Sequence, residues 1–289
     1  MLPDIWVIGA ESYESERILE EFTARNIGVM RFNWDELVLP FKHIPKGCLI
    51  RYSKGMMEKL SIVFVLSVME ELERRGCKVI PSLEGIYRED KMSMYLLWQK
   101  YLSDDILMPK TLITKNLDAA KTFLTKEKKV VFKPIIGGLG KDVIKIHNEK
   151  QLKMIYKKFN VLFLQKYIES PGYDIRAIVI NGKVMASYAR YNPDHFKHNI
   201  HSGGRGKTIS EMKKIDPQVN DYISRIKNLS KKIAKTASLD LFGLDLLPSK
   251  DGRLYLLEWN STFGFSGAES TTGLDIAKEI VEYAISKIA

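Results

Sequence analysis

Two apolar runs near the C-terminus, Phe242 to Leu247 and Arg253 to Asn260, flank the turn-forming stretch Ser249-Lys250-Asp251-Gly252, and each run carries a carboxylate among its leucines. Few folds can accommodate that. A two-residue turn at Asp251-Gly252 would pair Lys250 with Arg253, and counting back along both strands sets Asp245 directly opposite Glu258. Directly opposed residues share a sheet face, and Asn260 lies two positions further along it. Leu244, Leu246, Leu257 and Trp259 then point the other way. Opposed carboxylates repel unless something positive lies between them. Two carboxylates and an amide offer only hard oxygen donors, which suit Mg²⁺ or Mn²⁺ rather than zinc. The competing readings are a solvated surface hairpin with ordinary outward charges, and a four-residue turn that shifts the register and breaks the pairing.

The start of the chain has a different texture. Ile5 to Ala10 reads as a buried strand, Glu14 to Arg25 as a helix, Gly28 to Phe32 and Cys48 to Tyr52 as strands, Ser61 to Arg75 as a helix closed by Gly76, and Lys78 to Pro81 as a strand. Strands alternating with helices predict a small parallel α/β lobe. It opens like a Rossmann unit but has Gly9 alone where a dinucleotide fingerprint needs three glycines. Asp90 is placed to cap a helix over Lys91 to Lys100, and Met108-Pro109-Lys110-Thr111 breaks it. Strands follow at Val130 to Lys133, Val143 to Ile146 and Val161 to Ile168, with a helix over Glu149 to Phe159. Asn181-Gly182 joins Asp174 to Ile180 and Lys183 to Arg190 as a hairpin. Helices over Asp221 to Ala237 and Asp275 to Ile288 complete the reading.

Lys133 ends a buried strand, and Gly137-Gly138-Leu139-Gly140-Lys141 follows within the loop Pro134 to Lys141. Glycines let backbone N–H groups approach phosphate oxygens, and a lysine supplies a point charge to them. It is not a Walker A loop, and alone it could be a plain hairpin turn. Arg176 could hold a phosphate or carboxylate through its fork, or simply pair with Asp174. The polar stretch Asn192 to Gly206 holds His195, His198 and His201 without a cysteine or carboxylate at ligand spacing. It reads as an anion-binding loop over the site rather than a zinc site. Cys48 and Cys77 have no histidine nearby in sequence, so nothing supports a thiol nucleophile.

The formal charge of +10 admits a nucleic-acid reading, but lysine is spread along the chain instead of gathered in one arm, which favours a lysine-rich surface with a site for an anionic ligand. No run approaches the roughly 18 apolar residues of a membrane span; Leu60 to Met69 is short and ends in Glu70-Glu71. The first residues carry no secretion signal, and two cysteines without metal spacing point to a reducing, cytoplasmic setting.

In order, the chain offers Lys91; Val-Val-Phe-Lys133-Pro with its glycine loop; Leu-Gln165-Lys166-Tyr167-Ile168; Asp174-Ile-Arg176; Phe-Lys-His-Asn199-Ile-His-Ser-Gly-Gly; Gly-Leu-Asp245-Leu-Leu; Leu-Glu258-Trp-Asn260-Ser-Thr; and Thr-Gly273-Leu-Asp275-Ile-Ala. That series resembles the RimK-like ligases of the ATP-grasp superfamily. These add glutamate to a ribosomal protein, to a deazaflavin coenzyme or to tetrahydromethanopterin, or act on a carrier protein in lysine and arginine biosynthesis. The resemblance covers about Arg88 to Ala289.

The resemblance implies an ATP-grasp fold of mixed α/β class, with a pre-ATP-grasp domain at 1–86, a central subdomain at 87–168 and a C-terminal subdomain at 169–289. It implies that Lys91 and Lys133, with Gly137, Gly138 and Gly140, meet the ATP phosphates. Gln165, Lys166, Tyr167 and Ile168 would read adenine, Asp174 would lie near the ribose, and Asn199 would touch ATP or metal. Arg176 and Arg190 would stabilise the transferred phosphoryl group. Asp245, Glu258 and Asn260 would hold two Mg²⁺ or Mn²⁺ ions. The partners implied are an amino acid, glutamate first, and an anionic carboxylate acceptor; many relatives are homo-oligomers. Departures at Ala189-Arg190, His201-Ser202-Gly203-Gly204 and Asn260-Ser261-Thr262-Phe263-Gly264 lie on the acceptor side and bear on the acceptor's identity. A non-catalytic nucleotide-binding protein and a nucleic-acid-binding protein are the readings from other classes.

Overall fold

The computed structural model describes residues 3–52, 62–135, 137–138 and 140–288. Strands β1 (Ile5–Ile8), β2 (Val29–Phe32), β3 (Gly47–Ile50) and β4 (Lys78–Ile80) form a parallel sheet in the order β2-β1-β3-β4. β1 and β3 are buried along their whole length, which is why they read as unbroken apolar runs. Helix α1 (Tyr13–Ala24) starts where the Ser12 hydroxyl accepts from the Ser15 N–H. Helix α2 (Ile62–Arg74) ends at Gly76, whose φ of +89° lets Cys77 N–H return to the Leu72 carbonyl. Ser61, the expected start of this helix, and Leu60, the start of the apolar run, lie outside the described residues, as do Met1, Leu2 and Leu139 of the glycine loop.

Short α3 (Leu83–Tyr87) and α4 (Lys91–Tyr101) lead to the second sheet. It contains β5 (Thr111–Thr114), β6 (Val130–Lys133), β7 (Ile144–Ile146) and β8 (Leu162–Lys166) in the order β5-β8-β6-β7, all neighbours antiparallel. The expected break ends one residue early: Thr111 opens β5, an edge strand with one partner. Helix α5 (Leu117–Glu127), capped by Asn116, has no counterpart in the sequence reading. It packs with α6 (Glu149–Lys158) on one face, around Phe132, Leu152 and Leu162. The other face presents the cross-strand pair Val131 and Gln165 to a cleft.

The third sheet contains β9 (Tyr173–Ile180), β10 (Lys183–Tyr191), β11 (Arg205–Thr208), β12 (Leu241–Pro248) and β13 (Leu254–Asn260), antiparallel in the order β11-β10-β9-β12-β13. After β11 come α7 (Ile209–Lys213) and α8 (Val219–Ala237), and after β13 come α9 (Ser266–Thr272) and α10 (Ile276–Ile288). α8 covers one face of the sheet around Ile226, Phe242 and Trp259. α10 covers part of the other and continues onto the first sheet, sharing one core with Val7, Leu49, Ile178 and Leu241. The approach is close: a Cβ on Gly47 would lie 2.1 Å from Ile288 Cδ1.

Two β-bulges decide which side chains of this sheet face the cleft. The Asn181-Gly182 turn has both residues at positive φ and pairs Ile180 with Lys183, as a type I′ hairpin requires. Met185 is then an extra residue, so Arg190 comes to lie opposite Asp174 and Tyr188 opposite Arg176. The β12–β13 turn corrects the sequence reading. It holds three residues, Lys250-Asp251-Gly252, with Gly252 at φ +79° and Pro248 paired with Leu254. That shift alone would separate the carboxylates. A bulge at Leu257 restores the register, and Asp245 stands opposite Glu258. It also turns Leu257 into the cleft rather than away from it, while Leu256 takes the core position.

Candidate active site

A cleft with a cavity volume of about 540 Å³ opens between the second and third sheets and runs on beneath the first. Its floor is four charged residues from adjacent strands. Asp174 and Arg176 alternate on β9, with Arg190 beside Asp174 and Asp245 beside Arg176. Arg176 grips Asp245 through Nε and through Nη2 at 2.6 Å. Arg190 takes Asp174 in bidentate fashion at 2.7 and 2.8 Å and reaches Asp245 Oδ2 at 3.0 Å. The pairing of Arg176 with Asp174 weighed above is not made: each arginine bonds across strands instead. Burial opposes both guanidinium charges, yet the carboxylates outweigh it and hold both pKa values above the ordinary arginine value.

Glu258 faces this floor from β13. Its Oε1 accepts from Asn260 Nδ2 at 3.2 Å, and Lys91 Nζ lies 3.6 Å from its Oε2. Lys91 sits on the first turn of α4, where the Asp90 carboxylate takes the Met92 and Ser93 N–H groups. A cation at that end opposes the helix dipole, so Glu258 is its natural counter-charge. Lys133, at the end of β6, is enclosed nearby. Burial, followed by the Lys91 charge, pushes its pKa down to about 8 against the pull of Glu258 and Asp245.

The glycine loop meets the polar stretch after β10. Lys197 Nζ donates to the Gly140 carbonyl at 2.9 Å, and a Cβ on Gly140, whose φ is +71°, would lie 2.9 Å from Asn199 Nδ2. Of the three histidines, His198 alone is buried. It bonds Ser170 Oγ at 3.3 Å, and burial holds its pKa below the usual value despite nearby Asp174. His195 instead accepts from the Lys197 N–H. Along β8 the N–H groups of Lys166 and Tyr167 are committed to the Lys110 and Lys129 carbonyls. Gln165 donates to Thr111 Oγ1, and its buried Oε1 has no hydrogen-bond partner.

The structure brings the residues assigned to ATP, phosphoryl transfer and metal to one cleft, including Gly137, Gly138 and Ile168, whereas His195, Gly273 and Asp275 lie outside its lining. It adds others. Glu89, buried, accepts from the Tyr52 hydroxyl and from Ser261 N–H and Oγ at 2.8 and 2.6 Å, tying the first sheet to the end of β13. Burial pushes its pKa up to about 7, against the Ser261 bonds. Nothing in Arg-Glu-Asp distinguishes Glu89 from a surface acid. Arg51 and Tyr52, next to β3, also line the cleft.

A divalent cation fits these residues. Carboxylate oxygens offer about four lone-pair sites; the three guanidinium contacts on Asp245 leave one on Oδ1, while Glu258 and Asn260 add oxygen donors. The unpartnered Gln165 Oε1 fits a ligand carrying an N–H donor, such as a purine amine. Among the described residues no helix is long and apolar enough to cross a membrane.

Residues 88–284 match the model of the RimK-like ATP-grasp domain. The chain is similar to tetrahydromethanopterin:alpha-L-glutamate ligase of Methanocaldococcus jannaschii, 26% identical over 260 residues that cover 83% of this chain and 84% of that one. It is 30% identical over 254 residues to a probable alpha-L-glutamate ligase 2 of Pseudoalteromonas atlantica, covering 83% and 79%. To several other probable alpha-L-glutamate ligases the match covers 53–55% of this chain and 33–50% of theirs. In fold the chain resembles the ATP-grasp ligase PsnB, solved with a precursor variant, Mg and ADP, with a TM-score of 0.73 at 17% identity over 99% of both chains.

Proposed function

The chain belongs to the RimK-like ATP-grasp family, and on that premise we propose that it is an ATP-dependent ligase joining an anionic carboxylate acceptor to the amine of an amino acid, L-glutamate first, with release of ADP and phosphate. The observation that carries this reading is the opposition of Asp245 and Glu258 beside Arg176 and Arg190, with Lys91 and Lys133 facing them.

A carboxylate is a poor electrophile toward an amine. Transfer of the γ-phosphoryl group to a carboxylate oxygen makes an acyl phosphate and ADP. The amine then attacks the carbonyl carbon and loses a proton, and phosphate leaves with the former carboxylate oxygen. Little covalent chemistry falls to the protein, which positions the reactants and neutralises charge. Arg176 holds Asp245 by one edge and Arg190 holds Asp174 by the same edge, reaching Asp245 through Nη2 alone; their Nη1 groups have no partner among the described residues, so these donors can serve phosphoryl oxygens. Lys133, Lys91 and the glycine loop serve the remaining phosphates. Asp245, Glu258 and Asn260 would hold Mg²⁺, which supplies charge neutralisation along the triphosphate. With the Lys166 and Tyr167 N–H groups committed, base reading falls to Ile168, the strand carbonyls and Gln165. In this reading residues 1–86 carry acceptor-side contacts, and 87–168 and 169–289 enclose the nucleotide.

The test is a screen of carboxylates against amino acids with ATP, following ADP. ADP and orthophosphate should rise only when a carboxylate is present. AMP and pyrophosphate as products, or no turnover and no binding of Mg·ADP, would overturn the reading.

A further inference from the structure

Beyond the floor, the cleft passes under the C-terminal edge of the parallel sheet, where open α/β sheets receive ligands. Arg51 stands there with its backbone fixed. Its N–H donates to the Ile8 carbonyl at 2.7 Å, and a Cβ on Gly9 would lie 2.4 Å from its oxygen. The side chain is held as well. Nη2 donates to the Phe263 carbonyl at 2.9 Å, and the guanidinium lies 5.9 Å from the centre of the Phe265 ring.

Among the described residues Arg51 makes no ion pair. Glu14, the acid that acts on it electrostatically, gives Oε1 to the N–H groups of Phe265 and Ser266 at 3.0 and 3.3 Å. A guanidinium has five N–H donors in a fixed fork, and one hydrogen bond occupies this one. Arg51 is half-buried at the wall of the cleft, so the N–H donors left over can meet a carboxylate ligand, the group that matches the fork in shape and charge. Arg51 is also one side chain from the floor: Phe263 Cβ and Arg176 Cδ lie 2.9 and 3.4 Å from where a Gly243 Cβ would stand.

We propose that Arg51 binds a substrate carboxylate that does not react, so that a molecule with two acidic groups, or the amino acid beside the acceptor, spans from Arg176 to Arg51. The proposal rests on the ligase reading. A carboxylate engaged by this fork has its oxygens occupied, and it lies across Phe263 from the phosphoryl-binding floor, so it positions the substrate rather than attacking ATP.

The experiment is calorimetric titration of the full chain saturated with Mg·ADP. L-Glutamate represents the amine substrate, and glutarate represents an amine-free acidic acceptor. Arg51→Met should weaken one or both by about 30-fold or more, with Mg·ADP affinity and melting temperature unchanged. Arg51→Lys keeps the charge without the fork and should fall between. Loss confined to L-glutamate assigns the subsite to the amino acid, and loss confined to glutarate assigns it to the acceptor. Equal binding by wild type and Arg51→Met, or no binding of either probe to a wild type that binds Mg·ADP, overturns the role of Arg51 and leaves the ligase reading standing. A wild type that fails to bind Mg·ADP overturns that reading itself.

Discussion

Arg176 stands directly across the β9–β12 ladder from Asp245 and closes on both of its oxygens, while Arg190 reaches the same carboxylate at 3.0 Å. Asp245 is thus a counter-ion to two buried arginines as well as a candidate metal ligand, whereas Glu258 is the more exposed of the two. Substitutions at the two positions should therefore behave differently.

Glu258→Gln should lower ligation by about 10²–10³-fold and leave the melting temperature nearly unchanged, because its side chain is 31% exposed. Asp245→Asn should lose activity too, but also stability, on the order of 3 kcal/mol, since two guanidinium groups lose their shared anion. Denaturation followed alongside activity separates the two effects.

If Lys133 meets nucleotide phosphates as proposed, it gives that binding a pH limit. Its pKa is pushed down to about 8, so below that pH it is charged and available to phosphate, and above it the charge is lost. Mg·ADP affinity should be level below pH 8 and fall by up to roughly tenfold per pH unit above it. Lys133→Met should bind more weakly at pH 7 and lose this slope, as calorimetry between pH 7 and 9.5 would record. The sign for ligand-free stability is opposite: the unfolded chain holds this proton more tightly, so the contribution of Lys133 rises with pH above 8.

Glu89 acts on stability. Its folded pKa of about 7 lies above the ordinary 4.5. The folded state therefore holds the proton more tightly, and this contribution, complete below about pH 4.5, is lost as pH rises through about 7. Glu89→Gln should flatten the fall in melting temperature between pH 5 and 8 and be the more stable protein at pH 8.

Gly140→Ala should weaken Mg·ADP binding and lower the melting temperature by a few degrees. A side chain there meets Asn199 and must adopt a φ of +71°, a strain of about 1–2 kcal/mol. Parallel titrations of the variant and wild type would measure it.

The gathering of the candidate site in one cleft was legible in the sequence because its residues stand at strand ends and in turn-forming glycine runs, where a polar residue interrupts an apolar pattern. The fold around it was legible in part. The parallel lobe, the Asn181-Gly182 hairpin and the long helices follow from periodicity and turn chemistry. Leu117–Glu127 went unseen because its apolar positions are few among charged residues, and Thr111–Thr114 because one β-partner supplies its only support. The opposition of Asp245 and Glu258 was read correctly from an incorrect turn. A three-residue loop displaced the register by one and the Leu257 bulge returned it. Bulges carry no residue signature at Leu257 or Met185, since packing of the flanking leucines, tyrosine and arginines selects them. Arg51 and Glu89 escaped notice because their significance lies in contacts more than 150 residues away in sequence.

Activation of the acceptor carboxylate by phosphoryl transfer is the central step of the proposed reaction. The direct measurement is a turnover with ¹⁸O-labelled carboxylate acceptor, L-glutamate and Mg·ATP, with products followed by phosphorus NMR. The expected products are ADP and orthophosphate carrying one ¹⁸O from the carboxylate, with label transfer slowed by about 10²–10³-fold in Glu258→Gln. Label appearing in AMP, with pyrophosphate as the other product, would contradict it.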